Sequence, residues 1–171
     1  DGLVDFVVLG DSEIALAEIV RCGLSDGVPA GVWVRDNDGA LRAGTKPEKT
    51  PLDSLAFPAW ELFEHQRYRP SPHRYSALPL LPVLGSRVCP FQCDFCPQSL
   101  FNTHPSFTMR SAQSVLSEIL HLKGTFGVRE VEFYDPTFAT NRDGAVALCE
   151  ALIDHDVPVI WSCNSRCDLL D

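Results

Sequence analysis

Basic residues are scarce in this chain, long apolar runs are missing, and nothing in it repeats. Of its 171 residues, 14 are Lys or Arg against 23 Asp or Glu, a formal net charge of −9 with a pI near 4.9. A surface of that sign repels phosphate backbones, which excludes a protein that holds nucleic acid by charge alone. The longest apolar run, Ala77 to Gly85, covers nine residues and contains prolines. A membrane helix needs about twenty, so no bilayer crossing is expected. With 45% apolar and 22% charged residues the composition is that of a globular chain, which excludes disorder, collagen and coiled coil.

Cysteine is what the chain has in excess. Seven are present, an odd number, with no secretory signal read before them and three crowded between Cys89 and Cys96. An extracellular disulfide framework would spread an even number through a small, loop-rich domain. Metal or cluster ligation in a reducing cytoplasm fits better. Because the chain opens on Asp1 and runs straight into a strand pattern, it reads as a piece of a longer protein.

Val4 to Gly10 reads as a buried strand with a tight exit at Gly10. Ser12 is placed to cap a helix carrying Ile14, Ala17 and Val20, stopped by Gly23. Strand, turn and helix together predict a half-unit of a doubly wound α/β domain. Residues 31–42, with Asn37-Asp38-Gly39 at the turn, predict a small hairpin. Ten of the thirteen prolines fall between Pro47 and Pro105, so residues 47–73 read as a Pro-rich linker in which helices are short or absent. From Leu78 the pattern is β-α-β-α-β. It comprises a strand through Leu84, a helix from Ser111 to Lys123 ended by Gly124 and Gly127, and a strand around Val131 and Phe133. A helix from Asp143 to Ile153 and a strand from Val157 to Trp161 follow. That order implies parallel strands with crossover helices.

Cys89-Pro90-Phe91-Gln92-Cys93-Asp94-Phe95-Cys96-Pro97 is a Cys-x-x-x-Cys-x-x-Cys run just after the first strand of this unit, where ligands of parallel sheets collect. Three thiolates within eight residues can wrap one face of an iron–sulfur cube and leave one iron open. Pro90 and Pro97 oppose a continuous helix through the loop. The competing reading is a structural zinc knuckle with a fourth ligand such as His104, although zinc sites favour paired Cys-x-x-Cys units. Cys163 and Cys167 lie at the end of the third strand and read as packing residues, with extra metal ligation as the alternative. Cys22 and Cys149 fall in apolar helical patterns.

The run resembles the signature of the radical S-adenosylmethionine (SAM) superfamily, which carries these three cysteines with an aromatic before the third, here Phe95. With "LGDSE", "LPVLGSRVCPFQCDFC", "FYDPTF" and "WSCNSRCDLLD" beside it, the chain is similar over nearly its whole length to the branch in which a cobalamin-binding domain precedes the radical SAM barrel. The resemblance implies an α/β fold. Residues 1–46 would be the C-terminal piece of a Rossmann-like cobalamin-binding domain, and residues 74–171 the first half of a radical SAM partial (β/α) TIM-type barrel. It implies a [4Fe–4S] cluster on Cys89, Cys93 and Cys96, with SAM chelating the open iron. One electron from an external reductant would cleave SAM to a 5′-deoxyadenosyl radical, acting on a small-molecule or unknown substrate. It implies cobalamin as a cofactor as well, with methyl transfer and radical rearrangement or cyclisation as the outcomes found in that branch. It implies further that the backbone at Phe95 meets the adenine and that Asp135 meets the SAM amino group, although Pro136 stands where the family commonly has a second acid. Arg166 has two readings, a partner for a SAM or substrate carboxylate and a surface arginine beside Asp168. Gly10-Asp11-Ser12 reads as a helix cap, with contact to the cobalamin nucleotide tail as the alternative. Two other functions fit the residues: a non-catalytic iron–sulfur or zinc module, and a radical SAM enzyme that no longer binds cobalamin.

Overall fold

The computed structural model describes residues 4–24, 27–36, 38–46, 49–96 and 107–170. The chain forms two compact units, Asp1–Leu55 and Ala56–Asp171. In the first, β1 (Phe6–Val8) leads through Gly10, whose φ of 80° gives the tight exit, into α1 (Glu13–Cys22). Strands β2 (Val32–Arg35) and β3 (Leu41–Ala43) form the expected hairpin, its turn closed by Asp36 N–H on Ala40 O at 2.8 Å and an Asp36–Arg42 ion pair. Asn37 lies outside the described residues.

Two expectations are corrected here. Ser12 stands at the start of α1, but its side chain makes no capping hydrogen bond. The doubly wound half-unit is not what the described residues form, because β1 pairs antiparallel with β2 in a sheet of order β1-β2-β3. β2, paired on both edges, alternates buried and exposed residues, the pattern of an antiparallel sheet with one face on the core. Ala15, Val32 and Val34 are the buried core of this unit.

Among the prolines, residues 51–68 hold only single 3-10 turns, at Leu52–Ser54, Trp60–Leu62 and His65–Arg67. The second unit is built on β4 (Leu80–Val83), followed after a turn by β5 (Ser86–Arg87) and, beyond the cysteine run, by β6 (Thr108–Met109). Then come α2 (Ala112–Phe126), β7 (Glu130–Phe133), α3 (Arg142–Asp154) and β8 (Ile160–Cys163). β4, β7 and β8 make a parallel sheet in the order β4-β7-β8, as the β-α-β-α-β pattern requires.

The helix-facing side of this sheet is the main core. Leu81, Val83, Val131 and Phe133 pack against Val115, Leu116, Ile119 and Leu122 of α2 and Leu148 and Leu152 of α3. Each such side chain contributes roughly 1.5–3 kcal/mol when fully buried. Ser111 caps α2 through its hydroxyl, which accepts from Ser114 N–H, and Asn141 caps α3 in the same way from Gly144 N–H. Gly124 does not end α2. The helix continues to Phe126 and stops at Gly127, whose φ of 65° suits a left-handed cap. β8 starts three residues later than its apolar pattern suggests. Val157 N–H is spent on Leu152 O at the end of α3, and Pro158 has no N–H to offer a ladder.

The opposite face of β7 is buried although it carries acids. Glu130 accepts from Ser76 N–H and Ala77 N–H, both at 2.7 Å, and Glu132 pairs with Arg74 at 2.5 Å. The strap 74–77 therefore satisfies both carboxylates, as buried charge requires.

Candidate functional site

The carboxyl ends of β4, β7 and β8 converge on the cysteine loop, and each contributes a fixed contact. At the exit of β4, Asp135 accepts from Gly85 N–H at 2.7 Å and from Ser86 Oγ at 2.6 Å. A Cβ at Gly85 would stand 3.2 Å from the Asp135 carboxylate, which would have to shift by a few tenths of an ångström to admit it. Next, β5 pairs antiparallel with β6 (Ser86 opposite Met109, Arg87 opposite Thr108), tying together the two chain ends that bracket Cys89–Cys96. Arg110 reinforces that closure, its backbone N–H on Gly85 O and its guanidinium on Leu84 O and the buried Glu118 carboxylate. Val88 then turns at φ 67°, a left-handed backbone that a β-branched residue adopts only when its surroundings impose it.

From the end of β7, the Thr137 hydroxyl stands 3.7 Å from Cys89 Sγ. Beyond β8, Arg166 Nη1 donates to Cys93 Sγ at 3.5 Å, and its guanidinium carbon lies 4.3 Å from the centre of the Phe91 ring. The same guanidinium grips Asp168 through Nε and Nη2 at 2.9 and 2.7 Å. That hydrogen-bonded pairing raises the arginine above its ordinary range and holds the Asp168 carboxyl below its own.

Cys89, Cys93 and Cys96 are all half-buried, and Cys96 N–H bonds to Cys93 O at 3.0 Å. Among the described residues no three His, Cys, Asp or Glu side chains are gathered closely enough to hold one metal ion. The donor set suits a larger group: three soft thiols from one loop, with a cation beside one of them. His104 and Pro97 lie outside the described residues. Phe95 is 91% exposed.

Asp135, in contrast, is 4% exposed, and both its oxygens face β4. Burial raises its pKa above the ordinary carboxylate value, and the Ser86 and Gly85 hydrogen bonds only partly oppose that. Burial also raises the Cys163 thiol, which packs against the main core. A cleft of about 380 Å³ runs along the acid-bearing face of the sheet, lined by Arg74, Ser76, Glu130, Glu132, Ser162 and Asn164 among others. Thr137, the β5–β6 clasp and Arg110 are absent from the sequence reading. Two-residue strands carry no period, and a threonine after a proline carries no signal.

No protein-family model matches the chain. Its fold is a mixed α/β one that matches cobalamin-dependent radical SAM enzymes. A structure of the cobalamin-dependent S-adenosylmethionine radical enzyme OxsB, with aqua-cobalamin and S-adenosylmethionine bound, superposes on 91% of this chain and 22% of its own at a TM-score of 0.68 with 18% identity. The radical S-adenosylmethionine methyltransferase TsrM from Kitasatospora setae, with cobalamin and a [4Fe–4S] cluster bound, superposes on 88% of this chain and 30% of its own at a TM-score of 0.57 with 19% identity. In sequence the chain is 27% identical over 167 residues to an uncharacterized methyltransferase of Pyrococcus horikoshii, covering 95% of this chain and 35% of that protein. It is 27% identical over 172 residues to the anaerobic magnesium-protoporphyrin IX monomethyl ester cyclase of Rubrivivax gelatinosus, covering 95% of this chain and 30% of the cyclase. These relatives and neighbours are enzymes, and the chain spans about a third of the length of the curated relatives it matches.

Proposed function

We propose that this chain is the cluster-bearing portion of a radical SAM enzyme that works with cobalamin in methyl transfer or radical cyclisation. The observation that carries the reading is the cysteine loop itself: three half-buried thiols beyond the carboxyl end of β4, in a chain whose fold matches such enzymes. Cys89, Cys93 and Cys96 would hold a [4Fe–4S] cluster, which when reduced by an external one-electron donor supplies the electron that cleaves SAM to a 5′-deoxyadenosyl radical. Gly85, Ser86, Asp135 and the β5–β6 pairing fix the root of the loop that carries the three thiols. Phe95 would offer its backbone to the adenine. Asp135 would meet the SAM amino group with the lone pairs that its bonds to Gly85 and Ser86 leave open. Arg166 would pair with a carboxylate of SAM or of the substrate. The acid-lined cleft of about 380 Å³ has the size of a small-molecule site.

Residues 1–46 would be the end of the cobalamin-binding domain, 47–73 the linker and 74–171 the first half of the barrel. The support is that the matches extend over nine-tenths of the chain, the first unit included. In that unit the described residues form a cleft of about 300 Å³, lined by Asp11, Glu18, Lys49 and Thr50 among others. That is the lower end of the range for a drug-sized ligand, and a corrinoid is larger. Cobalamin therefore rests on the fold match.

Anaerobic reconstitution with iron and sulfide tests the reading. The wild-type chain is expected to give a brown, oxygen-sensitive chromophore with about four irons per chain. Cys89→Ala, Cys93→Ala and Cys96→Ala are each expected to lose it, while Cys149→Ala and Cys163→Ala keep it. A triad variant with full iron content would overturn the ligand assignment. A colourless zinc-loaded wild type would favour a structural module.

A further inference from the structure

Arg166 is the point where the end of β8 touches the cysteine loop, and it does so at two residues of that loop. Its Nη1 donates to Cys93 Sγ at 3.5 Å, and its guanidinium plane covers Phe91 at 4.3 Å. Its remaining donors, Nε and Nη2, are both held by Asp168. A planar fork can meet a carboxylate through Nε and Nη2, an aromatic ring with its face and a sulfur through Nη1, which the point charge of lysine cannot do together.

We propose that Arg166 is a positioning residue that sets the reduction potential of the group held on Cys93, with Asp168 as the counter-charge that aims and attenuates it. The inference rests on the proposed function, since it needs a cluster on the loop. Adding one electron to a thiolate-held cluster adds one negative charge. A cation and hydrogen-bond donor at a ligand sulfur stabilises that reduced form more than the oxidised one, which raises the potential. Stacking on Phe91 keeps the donor in place although Arg166 is partly exposed. Asp168, on the far edge of the guanidinium, lowers the net positive charge that the sulfur feels. The two substitutions therefore move the potential in opposite directions.

The experiment is a dye-mediated titration of the reconstituted full chain with dithionite, followed by the electron-paramagnetic-resonance signal of the reduced cluster, with iron content measured alongside. If the wild type takes up no iron, the proposed function fails, and that failure is separate from this one. With iron in place, Arg166→Gln is expected to keep its iron and to shift the oxidised-to-reduced ratio at a fixed potential about tenfold toward oxidised, a fall of about 59 mV for one electron. An unmoved midpoint in that variant overturns the proposal. If Arg166→Gln holds no iron, Asp168→Asn decides. A midpoint above wild type supports the assignment, and one at or below wild type overturns it.

Discussion

Asp135 has its two carboxylate oxygens on the Gly85 amide and the Ser86 hydroxyl and almost no contact with water. Burial is the largest influence on it and raises its pKa above the ordinary 3.8. An acid raised on folding binds its proton more tightly in the native state. Its contribution to stability is complete below 3.8 and is lost as pH rises through the folded value. Asn in its place can still accept from Gly85 N–H and donate to Ser86 Oγ without ever carrying charge. Asp135→Asn is therefore expected to melt close to wild type at pH 3.5 and above it at pH 7, in paired thermal melts. A difference that did not change with pH would refute this account. In the sequence Asp135 stands out as an acid at a strand end, which is a residue-level signal. Its partners were not legible there. They depend on the β4–β7 register, with Val83 opposite Phe133, and only packing fixes that.

At the scale of elements, α2 is joined to the root of the cysteine loop by one ion pair. Arg110 reaches from the end of β6 to Glu118, which is 2% exposed, and on to Ser114 and Leu84 O. Glu118 sits in the middle of an otherwise apolar stripe of Val115, Ile119 and Leu122, so its side chain is buried with them. Removing one member of a buried pair leaves the other unpaired, whereas replacing both with apolar groups is close to neutral. Glu118→Ala is expected to cost about 3 kcal/mol in urea unfolding, and Arg110→Met combined with Glu118→Leu to recover most of it. A double variant no better than the single would show that the pair is not what joins these elements. The helices and parallel strands of this unit were legible in the sequence because apolar residues recur at helical and strand spacing over ten or more positions. β5 and β6 were not, since Ser86-Arg87 and Thr108-Met109 are too short to show a period. The first unit misled for a related reason. Strand-turn-helix reads alike whether the next strand pairs parallel or antiparallel, and the hairpin strand β2 decided it.

For the whole molecule, the two units differ most in how much apolar surface each encloses. The second gathers thirteen buried side chains from β4, β7, α2, α3 and the segments between them into one core. Among its described residues the first gathers three into its core cluster, Ala15, Val32 and Val34, with Leu52 buried apart from them, and leaves Val7, Leu16, Val20 and Trp33 exposed. Conformational entropy costs about 1–2 kcal/mol for each residue fixed, in either unit. The unit with fewer enclosed side chains therefore has the smaller surplus and opens first. No helix of the described residues is long and apolar enough to cross a membrane. Native-state hydrogen exchange on this chain is expected to show the amides of β1 to β3 exchanging through a lower-energy opening than those of β7 and α2. The β7 and α2 amides should approach the global unfolding free energy. Denaturant should move the two groups separately, the first with the smaller slope, since it exposes less surface. Equal protection and one shared slope for Trp33 and Phe133 would mean that the chain unfolds as a single cooperative body, and the difference in core size would then carry no consequence for stability.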